Sequence, residues 1–180
     1  KYTNAGQIDS IKYTNDLLPQ EFQISNSYSY DSAGNAITAS ANRGTSYVVR
    51  EYNAFGQVIK EKVTDGASPS SAKYETAYVY DRKGRLLTVL LPDMSRIEYS
   101  YNAVFGTEVK RLSNEGLTLY SHTYQAFDLD GRLLNESLHD KWIVNHGYND
   151  CGQKTQITSP FYVEETKYDN AGRLVLRKIK

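Results

Sequence analysis

Short stretches in which tyrosine alternates with other residues run through the chain. Residues 27–30, 77–80 and 97–101 each carry a tyrosine at every second position. A side-chain period of two belongs to β-strands, whose successive side chains point to opposite faces of a sheet. Turn-forming residues separate these stretches, and no segment has a convincing helical period. The pattern predicts an all-β fold, an antiparallel meander of short hairpins.

A five-residue motif recurs at the ends of these stretches: an aromatic residue, Asp or Asn, two variable positions and Gly. Six copies fit it; in a seventh Thr3 replaces the acid or amide, and in an eighth Asn102 reaches Gly106 with one extra residue. The residues assigned to these repeat turns are Tyr2, Gly6, Tyr30, Asp31, Gly34, Tyr52, Asn53, Gly56, Tyr80, Asp81, Gly84, Tyr101, Asn102, Gly106, Phe127, Asp128, Gly131, Tyr148, Asn149, Gly152, Tyr168, Asp169 and Gly172. Successive motif glycines are 20 to 28 residues apart. This spacing fits hairpins with variable far-side loops better than helical repeats, which need about 33 residues or more.

The motif has the chemistry of a tight chain reversal. An Asp or Asn at the first position of a type I turn bonds the backbone ahead of it, and Gly is favoured at the fourth position. A Gly there can adopt a positive φ and form the G1 bulge of a three-residue hairpin loop. We therefore expect each copy to reverse the chain between two antiparallel strands, with the aromatic residue ending the first strand.

Irregular breakers lie between the motif turns, at residues 15–20, 41–45, 65–71, 92–95, 114–116, 139–141 and 159–160. Only residues 65–71, with Gly, Pro and three Ser, have the composition of a long flexible loop. Motif turns alternating with irregular ones predict about 15 to 16 strands. Because no domain boundary is evident, we expect residues 1–180 to form a single repeat region of about eight repeats.

Composition narrows the classes of function. The 180 residues carry 21 basic and 21 acidic side chains, which argues against a nucleic-acid partner. No stretch approaches the ~18 consecutive apolar residues of a membrane span. Tyrosine is in excess, with 16 residues against five Phe. Because Tyr buries a large ring and keeps its hydroxyl hydrated or bonded, the excess suits a thin sheet that is partly wet on both faces.

The residue types used in catalysis form no pattern in the sequence. His122, His139 and His146 fall on different predicted strands and loops without metal-ligand spacing. Residues 128–131 resemble the start of a calcium loop, but His139 stands near the position of the expected Glu, so turn chemistry is favoured. Cys151 lies in a repeat turn with no base nearby in sequence. We expect no enzyme activity, no metal site and no cofactor.

The units at residues 80–86 and 168–174 read Tyr-Asp-x-x-Gly-Arg-Leu, and a third unit begins with Phe127. They resemble the YD repeats of the rearrangement-hotspot (Rhs) family, which includes bacterial polymorphic toxins, the shells of insecticidal toxin complexes, and the teneurins. The resemblance covers essentially the whole chain. It departs at Gln57, where the family prefers Arg, and at Lys154, where the residue after the turn loses its apolar character.

The resemblance implies a curved, spiralling strip of hairpins that forms a segment of a hollow shell or barrel. It implies a non-catalytic wall that encloses or presents another domain, a toxin in many members, within a large exported protein. The implied partners are neighbouring YD repeats of a parent protein and an enclosed toxin domain, and the implied location is secreted or cell-surface. None of the four prolines follows an Asp, unlike the family's self-cleavage segment. We therefore expect a piece from the middle of a shell, excised from a longer protein.

Adhesion members of the family imply an alternative. In that reading the chain is an extracellular binding module whose Tyr-rich sheet contacts a glycan or a cell-surface partner. In either reading, open strand edges predict concentration-dependent self-association of the isolated chain.

Overall fold

The computed structural model describes residues 1–13, 24–41, 46–64 and 73–180. These residues form 15 β-strands and no helix. The strands are β1 (Ser10–Tyr13), β2 (Ile24–Tyr30), β3 (Ala36–Ala41), β4 (Ser46–Tyr52), β5 (Val58–Thr64), β6 (Tyr74–Tyr80), β7 (Leu86–Leu90), β8 (Arg96–Tyr101), β9 (Gly106–Leu112), β10 (Thr118–Phe127), β11 (Leu133–Leu138), β12 (Trp142–Tyr148), β13 (Lys154–Thr158), β14 (Val163–Tyr168) and β15 (Leu174–Ile179). The predicted all-β antiparallel meander is confirmed.

Two compact units divide the chain, Lys1–Met94 and Ser95–Lys180. In the first unit β1 to β7 follow one another in the sheet in chain order, and in the second β8 to β15 do so. Within each unit, each strand pairs antiparallel with the next, as expected where short turns join consecutive strands. The expected single repeat region over residues 1–180 stays a prediction. The breakers at residues 15–20 and 65–71, and most of 41–45, lie outside the described residues.

Little of the described chain is deeply buried. Among the described residues the buried hydrophobic side chains are Val89 and Leu112, and the buried polar residues are Thr64, Ser95, Ser121 and Ser137. Most other strand residues are half-buried, as in a sheet without a thick apolar core. Cross-strand side-chain pairs and backbone ladders must therefore supply most of the stability. Within the described ranges there is no helix of the length and hydrophobicity that a membrane crossing requires.

One of the turns that was expected to be irregular has the hydrogen-bond pattern of the motif turns but begins with a different type of residue. The Ser113 hydroxyl accepts hydrogen bonds from the backbone N–H groups of Glu115 and Leu117, at 3.2 and 3.1 Å. Gly116 follows with a φ of 84°, and its N–H donates to the Ser113 carbonyl at 3.0 Å. The segment 114–116, expected to be an irregular breaker, is therefore part of a regular turn. Serine supplies the oxygen that Asp supplies elsewhere.

The turn between β11 and β12, also expected to be irregular, has the mirror-image backbone of a common type I turn. His139 and Asp140 have φ values of 53° and 52°, and the Lys141 N–H donates to the Leu138 carbonyl at 3.1 Å. Two consecutive positive φ angles define a type I′ turn, which joins β11 to β12 with the twist that antiparallel strands prefer. Residues 139–141 form the three-residue loop between the strands, and Leu138 lies opposite Trp142.

Candidate functional site

The repeat turns share one hydrogen-bond pattern, which the Asp81 turn illustrates. The Asp81 N–H donates to the Arg85 carbonyl at 2.8 Å, and the Gly84 N–H donates to the Asp81 carbonyl at 3.0 Å. Oδ1 of Asp81 accepts the backbone N–H groups of Lys83 and Arg85, at 2.8 and 2.9 Å. Gly84 has a φ of 80°, which an L side chain rarely adopts. The Arg85 backbone N–H is the main cause that lowers the pKa of the Asp81 carboxyl, so the turn holds a carboxylate.

The same pattern recurs in the other turns that fit the motif. Their first residues accept backbone N–H groups from two and four residues ahead: Asp31, Asn53, Asp128, Asn149 and Asp169. The corresponding glycines at 34, 56, 131, 152 and 172 all have positive φ. The first copy uses Thr3, whose hydroxyl accepts the Gln7 N–H at 3.1 Å. A side-chain oxygen at the first position and a positive φ at the fourth are thus the common elements.

The side chain after the motif glycine is the hydrogen-bonding partner of the side chain that begins the same turn. Where the turn begins with Asp, an Arg side chain donates Nε to the carboxylate: Arg85 to Asp81 at 2.7 Å, Arg132 to Asp128 at 2.6 Å and Arg173 to Asp169 at 2.7 Å. Where it begins with Asn, a Gln oxygen accepts the Asn amide: Gln57 from Asn53 at 3.0 Å and Gln153 from Asn149 at 2.9 Å. An exception is Asp31, which accepts from Asn35 at 2.9 Å. The presence of Gln57, where YD repeats prefer Arg, is therefore explained, because the neutral Asn53 amide suits a neutral partner.

Motif tyrosines tie each hairpin to the preceding one through their hydroxyl groups. In five such bonds the acceptor is the carbonyl of the second residue after the preceding motif glycine. The bonds are Tyr30 to Ile8 at 2.8 Å, Tyr52 to Ala36 at 2.8 Å, Tyr80 to Val58 at 2.8 Å, Tyr148 to Leu133 at 2.9 Å and Tyr168 to Lys154 at 2.9 Å. The tyrosine excess thus has a hydrogen-bonding role between repeats in addition to its ring packing.

A second tie connects some turns to the next turn along the same edge. The Gln57 amide donates to the Gly84 carbonyl at 2.8 Å, and the Gln153 amide donates to the Gly172 carbonyl at 2.9 Å. At Gly152 an added Cβ would lie 2.8 Å from the Arg132 guanidinium. The motif glycines therefore serve two needs, a positive φ and a close approach of the preceding turn. We call this combination of tyrosine and glycine contacts the repeat junction.

The Tyr101 copy departs from the expected turn. The Asn102 N–H donates to the Phe105 carbonyl at 3.0 Å, so the turn is one residue shorter than the others rather than one longer. Gly106 is the first residue of β9, lies opposite Tyr101 and lacks the positive φ of the motif glycines. The prediction that Gly106 closes this turn is therefore wrong. Phe105 occupies the place after the turn and stacks on Phe127, with ring centroids 4.2 Å apart, so ring stacking joins these two repeats.

A cluster of polar side chains that sequence spacing did not indicate joins β10, β11 and β12. Nε2 of His122 lies 2.6 Å from one Glu136 oxygen, and Nε2 of His146 lies 3.0 Å from the other. The His146 side chain is only 6% exposed. Desolvation acts to raise the pKa of Glu136, but the two histidine hydrogen bonds outweigh it and lower that pKa. The three side chains form a clasp across three strands, with each imidazole facing a different carboxylate oxygen.

Sequence inspection missed this clasp because it depends on strand register. Tyr124 pairs with Glu136, and Glu136 pairs with Val144, so the histidines reach the carboxylate along diagonals of the ladder. In the described part of the chain, no group of three or more His, Cys, Asp or Glu is arranged to hold a metal ion.

The remaining residues considered for chemistry are placed as follows. The Arg132 guanidinium engages both carboxylates of the calcium-like segment, Asp128 at 2.6 Å and Asp130 at 2.8 Å. Cys151 is exposed at a variable turn position, where its N–H donates to Asn149. His139 packs edge-on against Tyr120 and Trp142, with ring centroids 5.3 and 5.8 Å away.

Comparison with known proteins shows similarity at the level of fold. The sequence matches no protein-family model and no curated protein. The fold is similar to chains in the crystal structures of TcdB2-TccC3-TEV and TcdB2-TccC3-Cdc42, each with a TM-score of 0.79 and 14% identity. TcdB2-TccC3 without its hypervariable C-terminal region gives 0.78 at 14% identity. Each alignment covers 99% of this chain but 11% of the other, so the chain has the fold of a small part of those larger chains.

Proposed function

We propose that the chain is a non-catalytic structural segment of a YD-repeat shell, in a large secreted or cell-surface protein. Its function is to form part of a wall that encloses or presents another domain. The resemblance to YD repeats favours a toxin domain in that place. The observation that carries this proposal is the repeat junction. Tyrosine hydroxyls and turn side chains, the main polar groups of the motif, are used to hold one hairpin to the next.

The sheet itself supports the same proposal. A wall one sheet thick needs side chains that are half-buried on both faces, and the described strands have few fully buried residues. The fold similarity to TcdB2-TccC3 chains extends over 99% of this chain. One of those structures is described as lacking a hypervariable C-terminal region, which supports a wall whose neighbouring domain can vary.

Small-angle X-ray scattering of the purified chain tests the wall. A compact globule of this length has a radius of gyration of about 16 Å, and a strip of hairpins one sheet thick must exceed it. A value of about 16 Å would contradict the proposal.

In the full-length parent protein, a protease site placed in the domain next to the repeats should be cut slowly until the shell is opened by denaturant. Immediate cleavage under native conditions would argue against enclosure.

A second candidate is an extracellular binding module for a glycan or surface partner. The observation that favours it is a row of aromatic rings in β10, in β12 and in the turns before β12 and after β13. Tyr120, His139, Trp142 and Phe161 follow one another edge to face, with centroids 5.3 to 5.8 Å apart, and Phe161 is 70% exposed. Exposed aromatic rows of this kind are typical of binding surfaces. Saturable binding on a glycan array that is lost in Phe161→Ala would favour this candidate over a wall.

A further inference from the structure

The two histidines of the clasp differ at the ring nitrogen that does not face Glu136. Nδ1 of His122 lies 3.3 Å from the Tyr120 hydroxyl oxygen. Nδ1 of His146 is buried and has no hydrogen-bond partner among the described residues. Solvent contact differs in the same direction, since the His122 side chain is 19% exposed and that of His146 is 6% exposed. The clasp is therefore asymmetric, with a bonded nitrogen on β10 and a buried, unbonded nitrogen on β12.

The Glu136 carboxylate fixes which ring nitrogens carry hydrogen at neutral pH. Desolvation tends to raise the pKa of Glu136, but its hydrogen bonds with the two histidines outweigh this and lower it, so the carboxyl group is ionised and only accepts. Both Nε2 atoms, at 2.6 and 3.0 Å from its oxygens, must then be donors. A neutral imidazole has a single N–H, so both Nδ1 atoms are acceptors. The Tyr120 hydroxyl therefore donates its hydrogen to Nδ1 of His122.

A proton added to this arrangement has one favourable position. At Nδ1 of His122 it creates an imidazolium beside the Glu136 carboxylate, and the new N–H donates a charge-assisted hydrogen bond to the Tyr120 oxygen. At Nδ1 of His146 it would be a buried donor without an acceptor, which costs the desolvation of that group. A single proton on His122 thus converts a lone carboxylate between two neutral rings into a neutral ion pair.

The surrounding strands supply mainly apolar and already paired groups. Of the described residues, only Glu136 places a carboxylate in contact with either histidine. Val109 of β9 lies opposite His122, and Ile157 of β13 lies opposite His146. The titratable and charged groups elsewhere on this face are Tyr99, Arg111, Tyr120, Tyr124, Tyr148 with Arg132 and Lys154 over its ring, and Glu164 paired with Arg177.

We propose that the clasp is a pH-sensitive switch that sets the direction of the Tyr120 hydroxyl. Histidine changes charge between about pH 8 and 5, and in this interval His122 takes a proton from solvent at Nδ1. The Tyr120 hydrogen that pointed at Nδ1 then turns to water, because this side chain is exposed. Tyr120 begins the aromatic row that continues through His139, Trp142 and Phe161. Acidification therefore adds an outward hydrogen-bond donor to that row.

The proton exchange goes beyond both candidate functions, since neither a wall nor a binding module requires it. Its consequence for ligand binding rests on the second candidate, the binding module: a ligand that accepts a hydrogen bond from Tyr120 should bind more tightly at acidic pH. The two fail separately, because the protonation of the histidines is measured without any ligand and the glycan array measures binding.

Nuclear magnetic resonance of the isotope-labelled whole chain identifies the protonated ring nitrogens directly. We expect hydrogen on Nε2 of both histidines at about pH 8, and a second hydrogen on Nδ1 of His122 alone as the pH is lowered to about 5. The Cζ resonance of Tyr120 should move over the same interval. An Nδ1–H form of His122 at the higher pH, proton uptake by His146 before or together with His122, or no uptake by His122 would overturn the proposal.

Three variants locate the switch. Tyr120→Phe keeps the ring and removes the acceptor of the charge-assisted bond, so His122 should bind its proton about three- to tenfold more weakly. Tyr124→Phe is the matched control, because the Tyr124 ring also contacts His122, at 4.3 Å between centroids, while no hydrogen bond of its hydroxyl is found among the described residues. His139→Asn removes the third imidazole at a positive φ that Asn tolerates, and should leave proton binding by His122 unchanged. If Tyr120→Phe titrates like Tyr124→Phe, Tyr120 is not part of the switch and the proposal is wrong.

Discussion

The hydroxyl of Tyr148 allows a direct test of the repeat junction. It donates to the Leu133 carbonyl at 2.9 Å, and burial raises the pKa of Tyr148, so the group remains a donor at neutral pH. Replacement by Phe removes this bond and retains the ring, which lies 5.4 Å from the Arg132 guanidinium and 5.8 Å from the Lys154 ammonium. The change therefore isolates the hydrogen bond from the packing.

The size of the effect follows from hydrogen-bond energetics. A net intramolecular hydrogen bond contributes about 0.5 to 1.5 kcal/mol. For a chain of this length, a loss of about 1 kcal/mol lowers the melting temperature by roughly 2 to 4 °C. We therefore expect Tyr148→Phe to lower the free energy of unfolding by about 0.5 to 1.5 kcal/mol.

The assay is urea unfolding followed by the fluorescence of Trp142, the single tryptophan of the chain, which lies on the same strand as Tyr148. Tyr99→Phe is the matched control, because no hydrogen bond of the Tyr99 hydroxyl is found among the described residues. The control should unfold at the wild-type urea concentration, with an unchanged slope. If Tyr148→Phe and Tyr99→Phe lose the same stability, or neither loses any, the hydroxyl does not stabilise the junction.

Three further predictions concern the turns and the clasp. Gly116→Ala, at a φ of 84° with open space around it, should cost about 1 to 2 kcal/mol of backbone strain. Gly131→Ala should cost more, because its Cβ would also lie 3.3 Å from a phenyl ring of the preceding repeat; equal losses in thermal melts would argue against the close approach. Asn53→Asp and Gln57→Arg should each lower the melting temperature, and the double variant should recover it; additive losses would contradict the matching of turn partners. Because the fold lowers the pKa of Glu136, its contribution is present above the unfolded value near 4.5 and is lost as pH falls through the folded value. Melting curves from pH 7 to 3 should therefore fall less steeply for Glu136→Gln than for wild type, and parallel curves would show that the clasp adds no pH dependence.

Much of the turn geometry could be predicted because each turn is local. In the Asp31 turn, the carboxylate bonds the backbone of residues 33 and 35, so five residues decide the conformation. The same locality explains an error and an omission. Asn102 closes its turn at Phe105 because a shorter loop satisfies the same side chain, and Ser113 forms a motif-like turn because its hydroxyl replaces a carboxylate. Both outcomes depend on hydrogen bonds that residue type alone does not determine.

The all-β class, the hairpin repeat and the position of most motif turns follow from the amino-acid sequence, because they depend on side-chain period and on bonds within five residues. The contacts between repeats depend instead on the three-dimensional fold. The Tyr148 hydroxyl and the Leu133 carbonyl are 15 residues apart, and Glu136 lies 14 and 10 residues from its two histidines. Such contacts depend on strand register, which loop lengths and bulges set and which a shift of one residue would reverse.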